Sequence, residues 1–216
     1  MIFQKTLKGI ANLSDAEAED MVKNYGILSN WWRKKISINN SEIADELTEI
    51  NLMHHLNEYN KPLPASHKWS SLGTTYGDVS AFISTSSGTI QRKSSANVIF
   101  PSFITALKFA TKNYKTSGYI FHCYVVTLGK QSIPFQSFAE EVRELHIYRD
   151  FMPYHHQGEI TAKISIPSIN IEKVEKYDGP RALRELKSGK IPSPIKTIIN
   201  PNYQDPSNYS NVRDFI

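Results

Sequence analysis

The chain has 216 residues, of which 40% are apolar and 21% charged, the size and composition of one globular domain rather than a disordered or fibrous chain. Lysine and arginine exceed aspartate and glutamate by 25 to 21, and a net charge of +4 does not by itself call for a nucleic-acid partner. The single cysteine, Cys123, excludes an internal disulfide framework and a multi-cysteine zinc site, and no apolar run reaches the ~18–20 residues of a membrane span. Residues 1–8 carry neither an apolar core nor a small-residue cleavage site, so no signal peptide is expected.

Ser14-Asp15-Ala16-Glu17 has the spacing of a capping box and predicts a short helix to about Tyr25, with Gly26 closing it. Residues 1–26 thus read as a helical N-terminal extension. The bulky run Ile27 to Arg33 predicts a first strand. Asn39-Asn40-Ser41 offers the cap of a second helix, whose inward positions Ile43, Leu47, Ile50 and either Met53 or His54 recur at spacings of three and four. Pro62, Pro64, Gly73 and Gly77 mark a loop, and Val79 to Thr85 a short strand. Pro101 suits the first position of a helix with Phe103, Leu107, Ala110 and Tyr114 on one face and Gly118 at its end. Tyr119 to Leu128 is rich in β-branched and aromatic residues and predicts a strand. Ile160 to Ile166 and Ile171 to Tyr177 predict two strands joined by an antiparallel turn at Pro167-Ser168. Five prolines recur after Asp178, so residues 180–216 read as an irregular tail that lies over the domain or is partly mobile. Helices early and strands late predict an α+β fold with antiparallel sheets, and the absence of GxGxxG and GxxxxGK[ST] argues against a Rossmann or P-loop site.

Several side chains could carry chemistry. Ser84-Thr85-Ser86 is either a polar strand end or a source of a hydroxyl that orients a carboxylate. Gln157-Gly158-Glu159 precedes a strand, where period-two alternation would point Gln157 and Glu159 to one side, with Tyr154 at the loop tip. His54 and His55 are neighbours on a helix and point about 100° apart, so they cannot share an ion. His155-His156 is a second pair, and without an HExxH-type spacing no metal is expected. Arg33 is either a snorkelling residue of a basic run or a bidentate phosphate clamp. Cys123, mid-strand, reads as a buried inert thiol.

Three of these blocks stand in a telling order. Ser80-Ala81-Phe82-Ile83-Ser84-Thr85-Ser86-Ser87 resembles the S-T-S strand of the pertussis-toxin-like mono-ADP-ribosyltransferases. Glu49-Ile50-Asn51-Leu52-Met53-His54-His55-Leu56 resembles the helix that carries the active-site histidine in the cholera and pertussis toxin catalytic subunits, which singles out His55. His156-Gln157-Gly158-Glu159-Ile160, followed by Ile166-Pro167-Ser168-Ile169-Asn170-Ile171, resembles the family's Q-x-E motif and the strand turn after it. The resemblance spans about Ile27 to Gly179. The family's opening arginine, commonly in Y-R-x-D, has its best match in Trp32-Arg33-Lys34-Lys35, where the aspartate is missing, and the family's disulfide is absent.

That resemblance implies two crossed antiparallel sheets with flanking helices and a cleft for NAD+, formed by a catalytic domain over residues 1–179. Glu159 would stabilise the oxocarbenium-like charge on the nicotinamide ribose, Ser84 would position Glu159, and His55 would assist. Arg33, Ser84, Thr85, Ser86 and His55 would bind NAD+, Gln157 would position the acceptor, and Tyr154 would touch the target. A neutral amide at Gln157 implies a non-arginine acceptor on a host protein, with a small GTPase or actin favoured. The implied protein is a toxin or effector, secreted or translocated and acting in host cytoplasm, with a larger toxin or delivery complex as a further partner. Two alternatives stand beside it: pierisin-like modification of guanine in DNA, and a binding module that kept the fold without the chemistry.

Overall fold

The computed structural model describes residues 2–35, 40–87, 101–127, 139–141 and 159–206. The chain opens with a strand, β1 (Ile2–Ala11), where a helical extension was expected. The predicted capping box follows: Ser14 accepts from the Glu17 amide and Glu17 reaches back to the Ser14 amide, starting α1 (Asp15–Asp20), which runs into one π-helical turn at Met21–Tyr25. Gly26, at φ 78°, ends it.

The predicted strand over Ile27 to Arg33 is only β2 (Ile27–Leu28). The chain then turns into α2 (Asn30–Lys34), because the Ser29 hydroxyl accepts from the Trp32 amide and caps a helix there. The second predicted helix is two, α3 (Asn40–Glu46) and α4 (Glu49–Asn57), since Thr48 caps a fresh start by accepting from the Asn51 amide. There follow β3 (Phe82–Ser87), α5 (Pro101–Ala110), β4 (Ser117–Thr127) and β5 (Ala139–Glu141). The helix α5 stops at Ala110, short of the expected Gly118, because Lys112, Asn113 and Tyr114 all adopt positive φ. The remaining elements are β6 (Glu159–Lys163), β7 (Ser165–Ile166), β8 (Ile171–Asp178), α6 (Gly179–Lys187) and β9 (Lys196–Ile199).

Among the described residues these strands form a seven-stranded sheet in the order β5-β6-β3-β1-β4-β8-β9, every pair antiparallel, and a two-stranded sheet of β2 and β7. The architecture is therefore the α+β, antiparallel one that the sequence predicts. The predicted hairpin across Pro167-Ser168 does not form. Ile164 takes φ 65° and ends β6, its amide bonds to the Ala81 carbonyl, and β6 and β8 pair on opposite flanks of the sheet.

The central strand β1 is covered on both sides. On one, α5 sets Phe103, Ala106, Leu107 and Ala110 against Leu7, Ile120 and Tyr177. The approach is so close that a Cβ at Gly9 would stand 2.0 Å from the Ala106 carbonyl oxygen, which only glycine allows. On the other, Ala18 and Val22 pack with Ile83, Phe121, Cys123, Val125, Ile160 and Val174. A third cluster joins Trp31, Ile43, Ala81 and Ile164.

The stretch expected to be an irregular tail carries α6 and the edge strand β9. Asp15 ties β9 down: its carboxylate accepts from Lys176 at 2.7 Å, from Lys196 at 2.6 Å and from the Tyr119 hydroxyl. These cations hold the Asp15 carboxyl well below the usual range.

Between β4 and β8 lies a buried polar knot. Glu175, 7% exposed, accepts from His122 at 2.8 Å, and from Lys173 and the Tyr177 hydroxyl at 2.7 Å each. Burial opposes its ionisation, but the bonds from His122, Lys173 and Tyr177 outweigh burial and bring the carboxyl down to about 2. A depressed carboxyl stabilises the fold above its ordinary value of 4.5, and that contribution is lost as pH falls toward 2. Thermal melts should therefore show stability falling over that window. In Glu175→Gln the slope should flatten, at a cost of about 1–3 kcal/mol at pH 7 for the groups left underpaired. A variant with wild-type stability and an unchanged acid slope would contradict this.

Candidate active site

The helix α4 turns Leu52, His55 and Leu56 inward, where the two leucines pack on Phe82. His54, one step round, faces out, stacks on Tyr76 at 4.1 Å and bonds Glu58 at 2.7 Å. The two histidines therefore do different things, and His55 is the one delivered to the sheet. It is 4% exposed, with Nδ1 2.7 Å from the Ser80 hydroxyl and Nε2 2.8 Å from the Ser84 hydroxyl. Burial, helped by the charge of Lys8, lowers its pKa to about 3, so the ring is neutral at physiological pH.

The strand β3 supplies the next link. It pairs with β6 in the register Ser84↔Thr161, Thr85↔Ile160 and Ser86↔Glu159. Ser84, Ser86, Glu159 and Thr161 therefore share one face, and Thr85 takes the other. Ser84 draws the Glu159 pKa down from across the strand pair, and Thr161 reaches Glu159 Oε1 at 3.5 Å. Thr85, 4% exposed, gives its hydroxyl to the Ile160 carbonyl at 2.6 Å and so clamps β3 to β6. The NAD-binding role the resemblance implies for Thr85 does not match that orientation, whereas Ser84 and Ser86 lie on the Glu159 face.

The Phe82 amide donates to the Ser80 oxygen at 3.1 Å. His55 joins Ser80 through Nδ1 and Ser84 through Nε2, the neutral ring donating from one nitrogen and accepting at the other. A chain of contacts therefore runs from Ser80 through His55 to Ser84, beside the Glu159 carboxyl. Burial raises the pKa of Glu159, while the Ser84 bond, the charge of Lys8 and the Thr161 bond pull it back.

Lys8 is the residue that the sequence did not single out. It sits half-buried on β1, directly across from Phe121 on β4. Burial lowers its pKa, Glu159 and Cys123 raise it, and Arg33 lowers it, so one ammonium lies within electrostatic reach of the carboxylate, the thiol and the arginine. It is also the nearby charge felt by His55. Its ammonium makes no hydrogen bond or ion pair with another described residue. Cys123 itself is buried beside Thr6, and burial pushes its thiol up to about 11, which makes it the inert residue expected.

Arg33, the expected first-strand cation, stands on α2 instead and is exposed, with its guanidinium on Asn30 Oδ1 at 2.5 Å. Gln157 and Tyr154, with His155 and His156, lie outside the described residues. Among the described residues no three His, Cys, Asp or Glu side chains converge as a metal set, and no helix is long and apolar enough to cross a membrane.

No protein-family model and no curated protein sequence matches the chain. Solved structures do resemble it. One is an arginine-to-lysine mutant of heat-labile enterotoxin, with a TM-score of 0.45 and 13% identity over 94% of this chain and 77% of that one. EcPltA gives 0.42 and 16% identity over 94% and 87%. The catalytic domain of the mosquitocidal toxin from Bacillus sphaericus, as a glutamate-to-glutamine mutant, gives 0.42 and 15% over 94% and 58%.

Proposed function

We propose that the chain is a mono-ADP-ribosyltransferase that moves ADP-ribose from NAD+ to a non-arginine side chain of a host protein. The observation that carries this reading is the chain of contacts from Ser80 through His55 to Ser84 on the face that carries Glu159. A carboxylate whose orientation is fixed before reaction suits a transition state that gains positive charge. Cleavage of the ribose–nicotinamide bond is such a step. The bonding electron pair leaves with nicotinamide, C1′ of the ribose becomes oxocarbenium-like beside Glu159, and the acceptor's lone pair then closes the new bond and its proton departs. Lys8, from β1, and Arg33, from α2, would supply positive charge for the anionic diphosphate. Ser86, on the Glu159 face, would line the same pocket. Gln157 and Tyr154 retain the acceptor-side roles their motif implies, with a small GTPase or actin as the favoured target and host cytoplasm as the place of action.

The test is transfer of label. The protein is incubated with NAD+ labelled in the adenylate, together with cell lysate or duplex DNA, beside a Glu159→Ala control. A protein band that takes label and loses it in the variant is the expected result. Label in DNA alone would move the chain to the guanine-modifying class, and label in neither would leave it without transferase activity.

A further inference from the structure

His55 is held on four sides. Its nitrogens meet Ser80 and Ser84, the Phe82 ring lies 5.8 Å away at 46°, and the Tyr59 ring meets it edge-on at 5.4 Å. The first three partners belong to β3 or the turn entering it. Tyr59 does not; it lies just past the end of α4, outside every motif block, and is 40% exposed.

An aromatic side chain that open to solvent ordinarily samples several rotamers, yet this one is fixed at both ends. Asn30 Nδ2 donates to its phenol oxygen at 3.1 Å and to the Gly77 carbonyl at 2.8 Å, while Asn30 Oδ1 accepts from Arg33. The Gly77 amide donates to the Tyr59 carbonyl at 2.8 Å. The ring lies flat over Gly77, where a Cβ would come within 2.4 Å of its Cε1. The sequence has placed an amide to hold the hydroxyl and a glycine to seat the ring.

We infer that Tyr59 is a positioning residue of the reaction centre: locked by Asn30 and Gly77, its ring edge keeps His55 Nε2 on Ser84 and so keeps Ser84 on Glu159. This rests on the transferase reading for its consequence and on the geometry alone for its cause. Helix α4 fixes only the Cβ of His55. The plane of the imidazole is set by what touches it, and without Tyr59 it loses one of its two aromatic neighbours and gains room to rotate. A misplaced Ser84 would leave Glu159 aimed less well at the developing charge, a defect in the transition state rather than in substrate binding.

Two readouts on the same variants test this. In Tyr59→Ala, kcat for NAD+ cleavage should fall about tenfold with KM within about twofold of wild type. Gly77→Ala, which keeps the ring but unseats it, should behave alike, and Tyr59→Phe, which keeps the ring and loses the anchor, should retain at least about a third of kcat. In protein labelled with 15N-histidine, His55 should show one fixed tautomer in wild type and averaged nitrogen signals in Tyr59→Ala and Gly77→Ala, with melting curves confirming that each variant is folded. Unchanged His55 signals and unchanged kcat in both variants would overturn the proposal, as would a raised KM at constant kcat, which would make Tyr59 a substrate contact. If wild type cleaves no NAD+, the transferase reading fails, and the nitrogen signals still decide whether Tyr59 holds His55.

Discussion

Replacing Glu159 with glutamine is expected to lower kcat for NAD+ cleavage by about 10²–10³-fold, the loss typical of one preorganised electrostatic group, with KM for NAD+ within about threefold. The asymmetry follows from when the charge appears. The ribose is neutral in the bound substrate and cationic only near the transition state, so a carboxylate beside it acts on kcat. Glutamine keeps an oxygen to accept the Ser84 hydroxyl, so the chain of contacts through His55 and Ser80 stays intact and the change removes charge alone. Steady-state kinetics decide the matter: a variant with raised KM and unaltered kcat would place Glu159 in binding, not in chemistry.

Lys8→Met is expected to lower kcat/KM about 10–100-fold, the scale of a lost charged contact, and to move the acid limb of the pH–rate profile upward. The sign follows from two couplings. The Lys8 charge pulls the Glu159 pKa down against burial, so without it the carboxyl is protonated at higher pH and less of the enzyme carries the reactive anion. The same charge helps to keep His55 neutral, and its loss lets that ring protonate more readily. Lys8→Arg keeps the charge and should hold the limb near its wild-type position. A Lys8→Met enzyme with the wild-type limb would show that the ammonium does not set the ionisation of Glu159.

His55, Ser84 and Glu159 were legible because each sits in a short block with its own periodicity. His55 is on the inner face of a helix, Ser84 on one face of a strand and Glu159 at the start of another, in the order that the resemblance requires. Lys8 was not legible. Its strand is covered by α5 on one face and by Ala18, Val22 and their neighbours on the other, so polar Thr6 and Lys8 fall where an apolar residue would be read and blur the alternation. The one signal was Gly9, a glycine inside an otherwise strand-forming run, which marks close approach by another backbone. Arg33 was misplaced for a local reason. Bulky residues from Ile27 to Trp32 favour a strand, but the Ser29 cap wins and turns the segment into a helix. The prolines after Asp178 pointed to an irregular tail, and Asp15, far away in sequence, gathers Lys176 and Lys196 and holds β9 to the sheet. Long-range ion pairs of that kind leave no local pattern to read.

Cleavage of the bond between ribose and nicotinamide is the reaction proposed for this site. Its most direct measurement is the release of free nicotinamide from NAD+ labelled in that ring, with purified wild-type protein and Glu159→Gln side by side. Steady release by wild type and loss of nearly all of it in the variant is the expected result; equal release by both, or none by either, would contradict it.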